Sequence, residues 1–65
     1  MTNRYSVQVQ EVGSDQWETV YYTDDGLAAR RIADGVARLA RIAEARVVDW
    51  HTARVCYMVG KGDKQ

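Results

Sequence analysis

Residues 25–45 read Asp-Gly-Leu-Ala-Ala-Arg-Arg-Ile-Ala-Asp-Gly-Val-Ala-Arg-Leu-Ala-Arg-Ile-Ala-Glu-Ala, and the reading of this stretch decides the fold. Ala28, Ile32, Val36, Leu39 and Ala43 recur at three- and four-residue steps, with Gly35 and Ile42 beside them. That spacing draws one apolar stripe along a helix from Asp25 to about Ala45. Arg30, Arg31, Asp34, Arg38 and Arg41 occupy the remaining face, and Asp34 lies four residues from both Arg30 and Arg38, close enough to pair with either. Thr23-Asp24-Asp25-Gly26 supplies the start, because an aspartate can accept from the free N–H groups and suits the positive end of the helix dipole. Gly35 costs about 1 kcal/mol of helix propensity, which predicts close packing there on a large sheet residue such as Tyr22.

On either side of this helix the period changes to two. Arg4 to Val12 sets Tyr5, Val7 and Val9 against Ser6, Gln8 and Gln10, the signature of a strand with one buried face. Gly13-Ser14-Asp15-Gln16 supplies turn residues, and Trp17 to Thr23 is rich in aromatic and β-branched types. A four-residue loop would pair Val12 with Trp17, Gln10 with Thr19, Gln8 with Tyr21, Val9 with Val20 and Val7 with Tyr22. After the helix, Arg46 to Trp50 and Arg54 to Val59 read as two more strands joined at His51-Thr52-Ala53, with one long bulged strand over 46–59 as the alternative. The expected fold is α+β: a small antiparallel sheet of three to four strands, ββαββ, with one helix packed on one face. Residues 1–65 form one domain, with 60–65 a polar, mobile tail.

The chain has 65 residues, 46% of them apolar. A domain this small buries only about 60% of the surface that its unfolded chain exposes, so association would help it. No stretch is long and apolar enough for a signal peptide or a membrane span. The single cysteine, Cys56, lies in an apolar strand. It reads as a buried packing residue in a reducing compartment, which points to the cytoplasm. Net charge is zero but unevenly spread. Residues 1–25 carry Arg4 against Glu11, Asp15, Glu18, Asp24 and Asp25, a balance of −4. Residues 26–46 carry five arginines against Asp34 and Glu44, a balance of +3. Such asymmetry concerns partners rather than fold.

Catalytic chemistry finds little support. His51 and Cys56 stand on opposite sides of the expected turn, with no orienting group or oxyanion site beside them. One histidine and one cysteine cannot close a zinc site, Asp24-Asp25-Gly26 lacks the spaced oxygens of a calcium loop, and Gly60-Lys61-Gly62 has no helix after it to make a phosphate loop. Neither an enzyme nor a cofactor is expected. Nucleic-acid binding through Arg30, Arg31, Arg38 and Arg41 is the weaker of two remaining readings, because a nucleic-acid domain usually carries a basic excess. The favoured reading is protein binding. One helix covers one side of the sheet, and the expected register places Val12, Trp17 and Tyr21 on the other. Trp17 and Tyr21 would anchor a partner, Gln8 and Gln10 would flank them, and Glu11, Asp15, Glu18, Asp24 and Asp25 would form an acidic rim. Two such faces stacked back to back would make a homodimer.

The Tyr5-Ser6-Val7-Gln8-Val9-Gln10 strand, the Trp17 hairpin partner, the Ala/Arg-rich helix and Arg46-Val47-Val48-Asp49 together resemble small accessory proteins of phages and mobile elements, anti-CRISPR proteins among them. The resemblance covers the whole chain at the level of class and has no diagnostic motif. It implies a non-enzymatic, stoichiometric inhibitor or adaptor that occupies the surface of a larger nucleic-acid-handling complex such as a CRISPR effector.

Overall fold

The computed structural model describes residues 3–60. In chain order the elements are β1 (Tyr5–Glu11), β2 (Trp17–Thr23), α1 (Gly26–Val36), β3 (Ile42–Asp49) and β4 (Arg54–Gly60). The expected α+β class and ββαββ order are those of the protein. All three strand pairings are antiparallel and the sheet order is β2-β1-β3-β4. Because β1 lies between them and opposes both, β2 and β3 run in the same direction, and α1 carries the chain across the sheet from one to the other. Gly60 closes β4, so it belongs to the sheet; the rest of the expected tail, 61–65, lies outside the described residues.

The first hairpin forms in a different register from the one the sequence suggested. Ser14 N–H donates to Glu11 O at 3.0 Å around Gly13, whose φ is 85°. A type II turn needs that left-handed φ at its third residue, and glycine adopts it without strain. The turn therefore starts at Glu11, and Val12 leaves the ladder to donate to Arg41 O at 2.9 Å. Trp17 pairs with Gln10 instead of Val12, and Thr19 pairs with Gln8. Val20 is then an extra residue, after which Tyr21 opposes Val7 and Tyr22 opposes Ser6. One inserted residue reverses the alternation of everything beyond it.

The helix is about half its expected length. Asp25 caps it, its Oδ1 accepting from Leu27 and Ala28 N–H at 3.0 and 3.2 Å. Ala37 N–H still reaches Ala33 O, but Arg38 and Leu39 donate to Gly35 and Val36, three residues back, and the turn closes with Ile42 N–H on Leu39 O. Residues 42–45 then join β3 although their spacing suits a helix. The reason is β1, whose second edge pairs with β3 from Tyr5↔Asp49 to Glu11↔Ile42. A strand starting at Arg46 would leave Val9, Gln10 and Glu11 without partners on that edge, and each buried unpaired backbone group costs about 1–3 kcal/mol. Tertiary pairing outweighs propensity here.

The buried helix face is Ala29, Ala33 and Ala37, flanked by half-buried Ile32 and Val36. It packs on Val7, Val9, Ala45 and Val47, with Ile42 closing one end. Leu39 is exposed in the turn after the helix. Gly35 faces open space and makes no close contact with Tyr22. The close approach is at Gly26, where a Cβ would stand 3.3 Å from the Tyr5 ring. Among the described residues, the largest fully buried side chains are Val7, Val47 and Ser6, a core without a single buried ring.

The second hairpin turns over Trp50–Ala53, with Ala53 at φ 58°, so 46–59 is a hairpin and not one long strand. Val47 opposes Tyr57 and Val48 opposes Val55, which leaves Cys56 as the extra residue of a second bulge. The thiol expected in the core is exposed for that reason. No helix among the described residues is long and apolar enough to cross a membrane.

The helix–sheet contact sets the first test. Ala33→Leu should overpack it and lower unfolding free energy by about 2 kcal/mol in urea titrations. Leu27→Ala, on the exposed helix side, should stay within about 0.5 kcal/mol of the parent. The opposite ranking would mean that the buried stripe is misplaced.

Candidate functional site

Residues directly opposite one another in a sheet share a face, so the three registers define the side of the sheet away from α1. From β2 to β4 its rows are Tyr22, Ser6, Val48 and Val55; then Thr19, Gln8, Arg46 and Met58; then Trp17, Gln10, Glu44 and Gly60. No element of the described chain covers these rows. Tyr22 and Met58 are 59% and 52% exposed, and Val55 is nearly as open. Trp50, whose N–H extends the ladder to Arg4 O at 2.8 Å, is also half exposed. Among the described residues, Tyr22, Val55 and Met58 are thus three exposed large apolar side chains on the uncovered side, whereas Tyr21, Val12 and Leu27 are exposed elsewhere.

A single arginine crosses the middle of this face. Arg46 leaves β3, spans β1 and places its Cζ 4.0 Å from the centre of the Trp17 ring on β2. On the way its Nε–H donates to Gln8 Oε1 at 2.8 Å, and Gln8 Nε2 donates in turn to Thr19 Oγ1 at 3.3 Å. Guanidinium on indole is worth about 0.5–2 kcal/mol, rising as water is removed. The stack fixes the planar guanidinium, leaving its terminal N–H groups without a hydrogen-bond partner among the described residues. Glu44 lies two residues away on the same strand face and forms no ion pair with any described residue. Ser6 is fully buried beside Tyr22 and Val48, with its hydroxyl unpartnered.

The structure gathers some of the expected site residues and separates others. Trp17, Gln8 and Gln10 lie together on the uncovered face. Tyr21 opposes Val7 on the helix side, because the Val20 bulge reverses the alternation, and Tyr22 takes its place on the uncovered side. Val12 is in the turn. Of the acidic set, Glu11 and Asp15 are exposed at the hairpin end, with Glu11 at 3.8 Å from Arg41. Glu18 opposes Val9 on the helix side. Asp24 Oδ1 accepts from Arg4 N–H at 2.8 Å, and Asp25 is the helix cap. These five carboxylates do not ring one surface. Tyr22, Val55 and Met58 escaped sequence reasoning because the bulges that orient them leave no residue signature. Arg46 was read only as part of a charge balance.

The four arginines are divided as well. Arg30 and Arg31 are on α1, and Arg30 lies over the Tyr57 ring at 5.4 Å, whereas Arg38 and Arg41 follow the helix in the turn. Asp34 accepts from Tyr57 Oη at 2.6 Å and pairs with no arginine. His51 and Cys56 are both exposed, with no hydrogen bond between their side chains. The hollow lined by Asn3, Arg4, Trp50 and His51 is an open depression.

Two contacts tie the sheet ends and shift the titration of their members. Arg4 grips Asp49 through Nε and a terminal nitrogen, both at 3.1 Å, and Asp49 Oδ1 also accepts from His51 N–H at 2.9 Å. The Arg4 hydrogen bond holds the Asp49 carboxyl below its ordinary value, against a smaller opposing effect of burial. The bond from Tyr57 to Asp34 raises the phenol above its ordinary 10.0, with burial adding to it. The chain matches no protein-family model, no curated protein and no solved structure.

The shifts fix the direction of two pH effects. A depressed Asp49 stabilises the fold above the usual carboxylate range, and this is lost as pH falls through its folded value. Urea midpoints should decline below about pH 4, and Asp49→Asn should flatten that decline. A raised Tyr57 contributes below the ordinary phenol range and loses that contribution as pH climbs through its folded value. Phenolate absorbance should therefore show one late-ionising tyrosine, which Asp34→Asn returns towards the others.

Proposed function

We propose that this protein is a non-enzymatic protein-binding module whose contact surface is the sheet face away from α1. The observation that carries the reading is the grouping of Tyr22, Val55 and Met58 beside the Arg46–Trp17 stack. Tyrosine, tryptophan and arginine dominate binding hot spots because they bury large area while keeping directed polar contacts. The Gln8–Arg46–Trp17 network also holds its members before any partner arrives, which lowers the ordering cost of association. The narrower role implied by the resemblance to phage accessory proteins belongs to the same proposal. A stoichiometric inhibitor of a nucleic-acid-handling complex, such as a CRISPR effector, acts by covering a surface and needs no catalytic group. Exposed Glu11 and Asp15 at the hairpin end suit the basic surfaces of such machines. Action in the cytoplasm is part of this proposal.

Capture from nuclease-treated bacterial lysate tests it. The parent should retain a protein in stoichiometric amount, and Tyr22→Ala/Met58→Ala should retain at least about tenfold less with little change in melting temperature. Trp17→Ala should likewise weaken capture far more than it lowers the melting temperature. Capture indifferent to these changes would contradict the proposal. So would retention on heparin at low salt that disappears in an Arg30/Arg31/Arg38/Arg41→Ala variant, which would favour nucleic acid.

A further inference from the structure

The uncovered face is matched to itself. Rotation about a two-fold axis running along the strands, midway between the central strands β1 and β3, lays β1 over β3 of a second copy and β2 over β4. Under that operation Tyr22 meets Val55 of the second copy, and Thr19 meets Met58. The polar groups match too. The Arg46 guanidinium lies over β1, stretched towards Trp17, and the rotation brings Glu44 of the second copy over β1 beside it. Each copy supplies one anion that has no ion pair among the described residues and receives one, which is how an isologous contact behaves.

We propose that a second copy of this chain occupies the face when no other partner does, giving a two-sheet sandwich with its helices on the outside that must part for another protein to bind; the assignment rests on the protein-binding reading of that face. Two further observations favour it. Both outer strands carry a bulge, at Val20 and at Cys56, and bulged edges resist strand addition, so association is directed to the face. Net charge is zero, so copies do not repel one another at long range. Aligned sheet packing is the ordinary arrangement for two such faces.

The test is solution mass by sedimentation and by light scattering, from about 1 to 500 µM. The parent should be a dimer that dissociates on dilution. Tyr22→Lys should be a monomer, and Val55→Lys provides the same test should Tyr22→Lys fail to fold by circular dichroism. Glu44→Arg should raise the dissociation constant at least about tenfold, and an equimolar mixture of Glu44→Arg and Arg46→Glu chains should associate more tightly than either variant alone. A preference for the mixed pair is expected only when the two residues face each other across copies, because each chain keeps its own internal contacts in all three pairs. A parent that is monomeric throughout overturns the second-copy assignment and leaves the face to a different protein. A dimer that survives both lysine variants overturns the face as the contact between copies and likewise leaves it to a different protein, which the capture experiment tests separately. A dimer weakened by Glu44→Arg with no preference for the mixed pair overturns the placement of the axis.

Discussion

Strand β1 is hydrogen-bonded along both edges, and this double pairing organises everything around it. To satisfy its second edge, β3 must begin at Ile42, which takes four residues from the helix that the local pattern would extend. The helix that remains spans eleven residues, long enough to cover one side of the sheet once. No other element of the described chain reaches the far side. The bare face is thus a consequence of backbone pairing at the centre of the sheet, not of any property of the face itself.

The chemistry of the covered side sharpens the contrast. Alanines along α1 bring its backbone close to Val7 and Val47, but they bury little area each, at roughly 25 cal/mol per Å². Of the rings, Tyr5 and Tyr57 are only half-buried against this core, and others lie further out. Tyr22 and Trp50 are more than half exposed, and Trp17 is covered in part by an arginine from two strands away. A small domain that leaves its large apolar groups outside gains little from its own core and much from association. The Arg46 stack keeps this face from being uniformly greasy. It gives the surface a fixed direction for hydrogen bonding, which favours one docking geometry over many.

The class and order of elements were legible because they rest on periodicity. Period two over residues 5–11 and the aspartates ahead of α1 are local signals, and both held. The helix end was not legible. Nothing in Leu39-Ala40-Arg41-Ile42 forbids a helix, and the demand that stops it comes from a strand some thirty residues earlier. The faces were half legible. Trp17, Gln8 and Gln10 share the uncovered side as the alternation suggested, but Tyr21 and Tyr22 exchange places because Val20 is an extra residue. A bulge is a property of two strands together, and a single strand's residues do not announce it. Arg46 was hidden for a related reason: its partners Gln8 and Trp17 are 38 and 29 positions away.

The central claim is that the chain's own helix covers only one side of its sheet. Hydroxyl-radical footprinting of dilute protein, read by mass spectrometry at single residues, measures this directly. The account expects Tyr22 and Met58 to be modified about as fast as exposed residues of their types, after correction for intrinsic reactivity, while Val7 and Val47 stay protected. Protection of Tyr22 and Met58 as strong as that of Val47, in a sample dilute enough to be monomeric, would contradict it.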